Sequence, residues 1–333
     1  MTPPPDLDRL NAALDRAFEQ PDELGLTLAV LVVHHGEVVV QRYHGDGEFG
    51  VTADSTLISW SMAKSVTHAI FGILVRKGLI DIHAPAPVAA WHTTPGDPRA
   101  AITTEHLLRM SSGLHWVEDY VDDKVSHVID MLFGDGTNDM AAYAAALPLD
   151  HEPGTVWNYS SGTTNILCRI AANVIGPDAS DGGEVAMREF LAIELFGPLG
   201  VVSASPKFDA AGTFVGSSYL YCTARDFARF GELYLHDGIW NDNQILAEGW
   251  VAHARTMTPA SHVDDTHDYG AHWWLWRGGL GAYDTYGCHG YEGQYILVVP
   301  DHDLVVVRLG KTVEAHQAEM RANVTEMVLS FLP

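Results

Sequence analysis

The sequence predicts a mixed α/β (α+β) fold in which an antiparallel sheet, flanked by terminal helices, carries a mainly helical insertion. Strand-like apolar runs occur near both chain ends, helical periodicity dominates between them, and a helix-like segment lies near each terminus. If strands from both ends join one sheet, the middle of the chain becomes an insertion. We therefore expect a discontinuous sheet domain over 1–60 and 265–333, and a mainly helical domain over 61–264.

The N-terminal elements follow from residue spacing and turn residues. A helix is predicted where apolar residues recur at helical spacing in LDRLNAALDRAFEQ. Two strands, LTLAVLVV and EVVVQRY, flank HHG like the arms of a hairpin around a tight turn. A short strand, TLISW, precedes a helix, SMAKSVTHAIFGILVRKGL, which Gly78 would end. Ser61 therefore lies where a strand passes into a helix.

Helical signals dominate the middle of the chain, and strand signals return near its end. The helix-like segments are separated by Gly, Pro and Asp loops and read TTEHLLRM, NDMAAYAAAL, TTNILCRIAANVIG, AMREFLAIELFGPLG and TARDFARFGELYLHDG. The later strands are predicted in GAHWWLW, QYILVVP and DLVVVRLG. The last helix is predicted in AHQAEMRANVTEMVLSFL. Strands at both ends of the chain must then share one sheet.

Composition narrows the possible partners. With 47% hydrophobic and 19% charged residues, the 333-residue chain is expected to fold throughout. Its net charge of -24 disfavours nucleic acid and anionic membranes as partners. The cysteines, Cys168, Cys222 and Cys288, form no CxxC pair and predict a reducing compartment. Without a signal-peptide pattern or a long apolar run, the expected location is cytoplasmic.

The first candidate for chemistry is the pair Ser61 and Lys64. On a helix, residues three apart lie on one face, so the Lys64 amine would reach the Ser61 hydroxyl. The hydroxyl needs a partner that takes its proton, and a lysine does so only when desolvation or nearby positive charge lowers its pKa. Apolar neighbours in the sequence favour desolvation. The alternative is a serine at a helix N-terminus with an exposed lysine.

Two further motifs precede predicted secondary structure. Tyr159, in NYSSG, would relay a proton if a nearby cation stabilised its phenolate; alternatively it packs near a helix that begins at Ser160 or Ser161. CHGYEGQ precedes the strand YILVVP, and its glycines would let a strand edge approach a substrate and direct a backbone N–H at a carbonyl. The alternative for this motif is a plain turn between two strands.

Together these motifs resemble the serine hydrolase superfamily of β-lactamases and penicillin-binding proteins, in which SxxK, a tyrosine element and a Gly-rich strand edge follow in this order. SWSMAKS, HLLRMSSGLHWVEDY, PGTVWNYSSGTTN, VGSSYLYCTARDFARFGELYL and GYEGQYILVVP resemble more closely the branch that contains class C β-lactamases, related esterases and 6-aminohexanoate-dimer hydrolase. The likeness extends from about residue 25 to about residue 310. It implies a β-lactamase-like fold with the active site in the groove between the two domains.

The resemblance also implies a role for each matching residue. Ser61 would be the acylated nucleophile, Lys64 its base partner, and Tyr159 the residue that shuttles the proton to the leaving group. The backbone N–H groups of Ser61 and Tyr291 would form the oxyanion hole. The residues that we expect to contact the substrate are Tyr120, Ser161, His289 and Gly290.

Two departures from the superfamily pattern bear on the substrate. The KTG element of β-lactamases is absent, because the corresponding stretch reads YGCHG, and this disfavours efficient hydrolysis of β-lactams. Relatives with GHEGQ carry histidine where this chain has Tyr291, and the neighbouring His289 is a candidate replacement.

The remaining clusters of aromatic and histidine residues are interpreted as packing residues. Trp273, Trp274 and Trp276 are expected in a strand, one of them a possible cleft wall, and the spacing of His262, His267 and His272 suits no metal site.

The expected function is acyl transfer from an amide or ester of a small molecule, with Ser61 as nucleophile and neither metal nor organic cofactor. A carboxylesterase and an amidase share every catalytic residue, so the sequence leaves both open. A catalytically silent binding or sensor module of the same fold is the alternative from another class, and a homodimer is also left open. The intact set of Ser61, Lys64 and Tyr159 argues against the silent alternative.

Overall fold

A seven-stranded antiparallel sheet is the centre of the computed structural model, which describes residues 4–45, 50–120, 125–259, 261 and 267–333. The strands of this sheet and of two smaller sheets are, in chain order, β1 (Leu26–His34), β2 (Glu37–Tyr43), β3 (Leu57–Ile58), β4 (Ser205–Pro206), β5 (Leu220–Cys222), β6 (Ile239–Trp240), β7 (Asn243–Gln244), β8 (His267–Tyr269), β9 (Trp274–Trp276), β10 (Tyr286–Gly290), β11 (Gln294–Val299) and β12 (Leu304–Lys311).

The large sheet takes strands from both ends of the chain, as predicted. Its order is β2-β1-β12-β11-β10-β9-β8, so the first hairpin joins the last strands through the pairing of β1 with β12. β1, β11 and β12 are buried along most of their length, which explains their near-continuous runs of Val, Ile and Leu. β2 is an edge strand, and its side chains are exposed or half-buried.

Helices cover both faces of this sheet. In chain order they are α1 (Leu7–Glu19), α2 (Pro21–Leu24), α3 (Ala63–Arg76), α4 (Thr104–Leu108), α5 (His127–Phe133), α6 (Met140–Ala145), α7 (Ser161–Ile175), α8 (Glu184–Phe190), α9 (Ala224–Leu235), α10 (Trp250–Arg255) and α11 (Gln317–Leu329). The terminal helices α1 and α11 pack on one face in a single apolar cluster. The inserted helices share the larger cluster on the other face. The mixed α/β fold with flanking terminal helices is therefore confirmed, and the residue limits of the two domains stay a prediction.

The structure differs from the sequence expectation in several places. Helices α2, α5 and α10 and strand β8 lie outside the predicted segments. β10 falls in YGCHG, where glycines weaken the strand signal, and pairing with β9 and β11 stabilises it. The middle of the chain also contains a small sheet, β3-β5-β4, and a two-stranded pair, β6-β7. The helix predicted from Ser61 starts as a 3-10 turn, Trp60–Met62, before α3 begins. Each is a short element held by tertiary contacts.

Among the residues that the structure describes, no helix combines the length and the apolar character needed to cross a bilayer.

Buried histidines in the helical layer link stability to pH. His68 Nδ1 lies 2.8 Å from the Tyr234 hydroxyl, and His68 Nε2 lies 3.1 Å from His253 Nδ1. Burial lowers the pKa of His68 well below its ordinary value and lowers that of His272 to about 3. The folded protein thus binds fewer protons than the unfolded chain, whose histidines titrate near pH 6.5. The contribution of these histidines to the free energy of unfolding is therefore fully present above that pH and decreases as the pH falls below it.

We expect urea unfolding at pH 5.5 to give a free energy roughly 1 kcal/mol lower for each of these two histidines than at pH 7.5. His68→Gln, which does not titrate, should remove about half of that difference. Equal stability at the two pH values would contradict the assignment of both histidines as neutral.

Candidate active site

A tight turn places Ser61 at the mouth of a cavity. β3 ends at Ile58, the turn Trp60–Met62 follows, and α3 then begins. Trp60 has a φ of 44°, a left-handed conformation that is costly for a bulky residue. The surrounding structure holds this strain, and the half-buried Ser61 lines the cavity. The predicted step from strand to helix at Ser61 is present.

Lys64 is buried against three oxygen atoms. Its Nζ lies 3.0 Å from Ser61 Oγ, 2.9 Å from Ser161 Oγ and 3.0 Å from the carbonyl oxygen of Ser217. Burial lowers the pKa of Lys64 to about 8, although the negative charge of Glu118 opposes this shift. The alternative of an exposed lysine is therefore wrong, since Lys64 is only 1% exposed.

Tyr159 lies beside the serine and the lysine. Its side chain hydrogen-bonds that of Ser61, and Lys64 Nζ is 4.8 Å from the centre of its ring. Burial raises the pKa of Tyr159 well above its ordinary value despite the nearby amine. The phenolate on which the predicted proton relay was conditional is therefore not the resting form, and Tyr159 is a neutral phenol with a proton to donate. The helix after it, α7, is capped by Ser160, whose Oγ accepts from the N–H of Thr163 at 2.9 Å.

Glu118 is a site residue that the sequence reasoning missed. Its carboxylate accepts hydrogen bonds from the backbone N–H of Ser161 at 2.8 Å, from the Ser161 hydroxyl and from the indole N–H of Trp116. It also lines the cavity. Ser161, expected to contact substrate, is instead fully buried between Glu118 and Lys64. The segment WVEDY contained the only available signal, a carboxylate two residues before Tyr120.

The turn after β10 forms the other side of the cavity mouth. Gly290 ends the strand, and Gly293 N donates to its carbonyl at 3.1 Å. Two buried side chains hold the turn: Arg308 donates to the carbonyl of Gly293 at 2.8 Å, and Gln294 Nε2 donates to that of Tyr291 at 3.0 Å. The motif CHGYEGQ thus forms both a strand end beside the site and a turn between the strands β10 and β11. No sequence motif points to Arg308 or Gln294 in this role.

The cavity has a volume of about 370 Å³ and mostly aromatic walls. Tyr120 stacks on Tyr291 with ring centres 4.9 Å apart, and Tyr291 meets Trp60 edge to face at 5.7 Å. Both tyrosines are about 40% exposed. The residues that line the cavity are Ser61, Glu118, Tyr120, Trp157, Tyr159, His267, Trp274, His289, Gly290, Tyr291, Tyr295, Gln317 and Arg321. The structure therefore brings Ser61, Tyr120, Tyr159, His289, Gly290 and Tyr291 to one cavity.

His289 lies in an aromatic cluster at the far wall. Its ring stacks on Trp274 at 5.1 Å and meets His267 edge to face at 4.8 Å. Burial lowers the pKa of His289 well below its ordinary value, so the imidazole is neutral. Trp274 lines the cavity, whereas Trp273 and Trp276 are buried.

Of the histidines spaced five residues apart, the structure describes His267 and His272. His272 is buried between the Leu108 carbonyl and Thr164, and His262 lies outside the described residues. Within the described ranges, no group of three or more His, Cys, Asp or Glu side chains is arranged to hold a metal ion.

Cys288 lies in β10, within the stretch YGCHG, which contains no lysine. Its side chain is buried in the core and hydrogen-bonded to Ser65, and burial raises the pKa of the thiol far above its ordinary value. This position thus supplies no cation to the cavity. All three cysteines are buried and unpaired with one another.

Replacing Gly290 with alanine should disturb the site. A Cβ at this position would clash with the backbone carbonyl oxygen of Ser59 and meet the Gln294 side chain at 2.9 Å. Since a displacement of about 1 Å costs roughly 10²-fold in rate, we expect Gly290→Ala to lower kcat/KM for an activated ester by about that factor. Gly45→Ala, whose Cβ would have open space, is the matched control. Equal activity of the two variants would contradict a close approach of this strand end to the reacting atoms.

The chain is similar to known proteins over most of its length. The family model described as Beta-lactamase matches residues 14–327. The 6-aminohexanoate-dimer hydrolase of Paenarthrobacter ureafaciens is 26% identical over 332 residues, which cover 92% of this chain and 79% of that protein.

Solved structures are also similar over almost the whole chain. A family VIII carboxylesterase matches with a TM-score of 0.72 and 16% identity, covering 100% of this chain and 99% of its own. An octameric penicillin-binding protein homologue from Pyrococcus abyssi matches with a TM-score of 0.73 and 18% identity, covering 97% of this chain and 77% of its own. At these identities the two structures show a shared fold.

Proposed function

The chain belongs to the beta-lactamase family, and from this premise we propose that it is a serine hydrolase that cleaves an amide or ester bond of a small molecule through an acyl-enzyme on Ser61. The observation that supports this most directly is the 3.0 Å distance between Lys64 Nζ and Ser61 Oγ at the cavity mouth. Because burial lowers the pKa of Lys64 to about 8, about a tenth of the molecules have a neutral amine at pH 7.

Acylation begins with proton transfer from Ser61 to Lys64. The neutral amine takes the hydroxyl proton as Ser61 Oγ attacks the substrate carbonyl, and a tetrahedral oxyanion forms. The backbone N–H groups of Ser61, at the start of a helical turn, and of Tyr291, in the turn after β10, are proposed to hold this oxyanion. Arg308 and Gln294 support that role of Tyr291 because they hold its turn in place.

Tyr159 is proposed to protonate the leaving group. As a neutral phenol that contacts Ser61, it donates its proton to the amine or alkoxide as the bond to the acyl carbon breaks. The Lys64 ammonium then returns a proton to Tyr159, so the proton lost by Ser61 ends on the leaving group. In deacylation, water attacks the acyl carbon and loses a proton to the neutral Lys64 amine. As the bond between Ser61 Oγ and the acyl carbon breaks, the Lys64 ammonium gives that proton to Ser61 Oγ, so the acid is released and the neutral amine and the Ser61 hydroxyl are restored.

The cavity supports an amide or ester substrate better than a β-lactam. The KTG element, whose cationic site holds a β-lactam carboxylate in β-lactamases, is absent here, because the corresponding stretch reads YGCHG. The walls that face the substrate are mainly aromatic, so we expect them to take apolar acyl or leaving groups. The 26% identical relative is named as a hydrolase of 6-aminohexanoate dimer, which makes that amide a useful test substrate.

The test combines covalent labelling with turnover. The protein is incubated with a fluorophosphonate and its intact mass is measured, and hydrolysis of p-nitrophenyl acetate, 6-aminohexanoate dimer and nitrocefin is followed in parallel. We expect one adduct and turnover of the ester, the amide or both, with nitrocefin the poorest substrate. The preferred substrate decides between carboxylesterase and amidase. Absence of both adduct and turnover would contradict the proposal and favour a binding module.

A further inference from the structure

The network behind Lys64 contains a carboxylate whose role the proposed mechanism does not yet use. Glu118 Oε2 accepts from the backbone N–H of Ser161 at 2.8 Å and from the indole N–H of Trp116. Its other oxygen, Oε1, accepts from the Ser161 hydroxyl. The same hydroxyl oxygen accepts from Lys64 Nζ at 2.9 Å. Glu118 is therefore connected to the Lys64 amine through one hydroxyl group.

The number of protons on each group determines which group donates in each of these hydrogen bonds. Ser161 has one hydroxyl proton, and because Glu118 takes it, Ser161 acts only as an acceptor toward Lys64. The carbonyl of Ser217 is also only an acceptor. A neutral amine has two N–H groups and one lone pair. The two N–H groups are used on Ser161 and Ser217, so the lone pair is left for the Ser61 hydroxyl at 3.0 Å.

On this basis we propose that Glu118 is a positioning residue, which turns the Ser161 hydroxyl away from Lys64 so that the amine lone pair faces Ser61. The inference rests on the proposed function, because it concerns the form of Lys64 that accepts the proton. Without an acceptor at Glu118, the Ser161 hydroxyl would donate to the amine and compete with Ser61 for its lone pair.

The variant Glu118→Gln reverses this hydrogen bond. The glutamine oxygen takes the position of Oε2, where two donors converge, and the amide NH₂ then faces Ser161 Oγ. Ser161 accepts from that NH₂ and turns its own proton toward Lys64. Since general-base catalysis contributes typically 10²–10⁴-fold, we expect kcat/KM for p-nitrophenyl acetate and the rate of fluorophosphonate labelling to fall about 10²-fold.

Removing the competing hydroxyl should restore activity. The double variant Glu118→Gln/Ser161→Ala lacks the group that blocks the lone pair, so we expect it to be at least about tenfold more active than Glu118→Gln alone. Ser161→Ala in the wild-type background should lose only about tenfold or less. If Glu118 merely supports the fold around α7, the double variant will be no better than the single one, and the inference is overturned.

The pH profile separates the same two cases. A hydroxyl that donates to the neutral amine, and the loss of a negative charge beside it, both lower the pKa of Lys64. The acid limb of kcat/KM should therefore move to lower pH in Glu118→Gln while its plateau falls. Structural loosening would admit water to Lys64, raise its pKa and move the limb to higher pH. A shift in that direction would contradict the inference.

The controls keep each outcome decisive. Glu152→Gln makes the same chemical change on an exposed side chain and should retain wild-type rates. If Glu118→Gln does not fold, Ser161→Ala alone decides: a loss as large as that of Ser61→Ala would show that Ser161 is itself required and overturn the inference. If the wild-type protein neither reacts with the fluorophosphonate nor hydrolyses a substrate, the proposed function is contradicted and the inference falls with it. If Glu118→Gln is active and its pH profile is unchanged, only the inference is overturned.

Discussion

Ser61→Ala is expected to abolish covalent labelling by a fluorophosphonate and to lower turnover of the best substrate by at least about 10⁴-fold. The hydroxyl is the atom proposed to form the acyl-enzyme, and alanine offers no nucleophile in its place. Lys64 and Tyr159 both contact this hydroxyl, so its loss leaves neither a proton to transfer nor an oxygen to attack. Intact-mass measurement and initial rates on the same preparations give both readouts.

The matched control for this variant is Ser205→Ala. Ser205 lies in β4, and its hydroxyl accepts from an exposed lysine, Lys207, at 3.0 Å. It does not line the cavity, so labelling and turnover should equal those of the wild type. A fluorophosphonate adduct that persists in Ser61→Ala at the wild-type rate would place the nucleophile at another residue and contradict the assignment of Ser61.

The second large effect is expected for Lys64→Arg. Arginine keeps the positive charge but stays protonated throughout the accessible pH range, so it has no lone pair to accept the Ser61 proton. We expect kcat/KM to fall by about 10³-fold or more, since a general base typically contributes about 10²–10⁴-fold to the rate. The larger guanidinium must also fit among Ser61, Ser161 and Ser217, so far-UV circular dichroism should accompany the rates.

The pH dependence tests the same role of Lys64 in the wild type. With a pKa of about 8, the amine is protonated and inactive below that pH, so kcat/KM should fall about tenfold per pH unit on the acid side and level off above pH 8. Lys207→Arg, an exposed lysine, should keep this limb. If the acid limb were also unchanged in Lys64→Arg, another group would be the base.

Spacing alone left the pair Ser61 and Lys64 open to two interpretations, and the resemblance of the whole set of motifs to the β-lactamase superfamily implied the roles of nucleophile and base. The spacing of Ser61 and Lys64 predicts their approach because one helical turn brings residues three apart together. The chain meets this expectation even though the turn at Ser61 is 3-10 in form. The predicted roles of Tyr159 and Tyr291 came from the same resemblance, because their positions alone were also consistent with packing near a helix and with a plain turn.

The places of Glu118 and Ser217 in the site could not be predicted from the sequence, because each contacts groups that are distant along the chain. Glu118 shows neither helical spacing nor a motif of its own, and it matters only because α7 brings Ser161 against it. Ser217 contributes a backbone carbonyl, a group that every residue has. The role expected for Ser161 at the substrate changed for the same reason, since burial between Lys64 and Glu118 removes it from the cavity.

The sequence by itself determined the elements and the chemistry that is local: the strands of the sheet, the terminal helices, and a serine one helical turn from a lysine. The tertiary structure decided whether that pair has reactive properties. Lys64 meets Ser161 across 97 residues and Ser217 across 153, and the core around it removes the water that would keep its pKa near the ordinary value of lysine. Desolvation and hydrogen-bond direction depend on which groups surround an atom, and the fold brings those groups from distant parts of the chain.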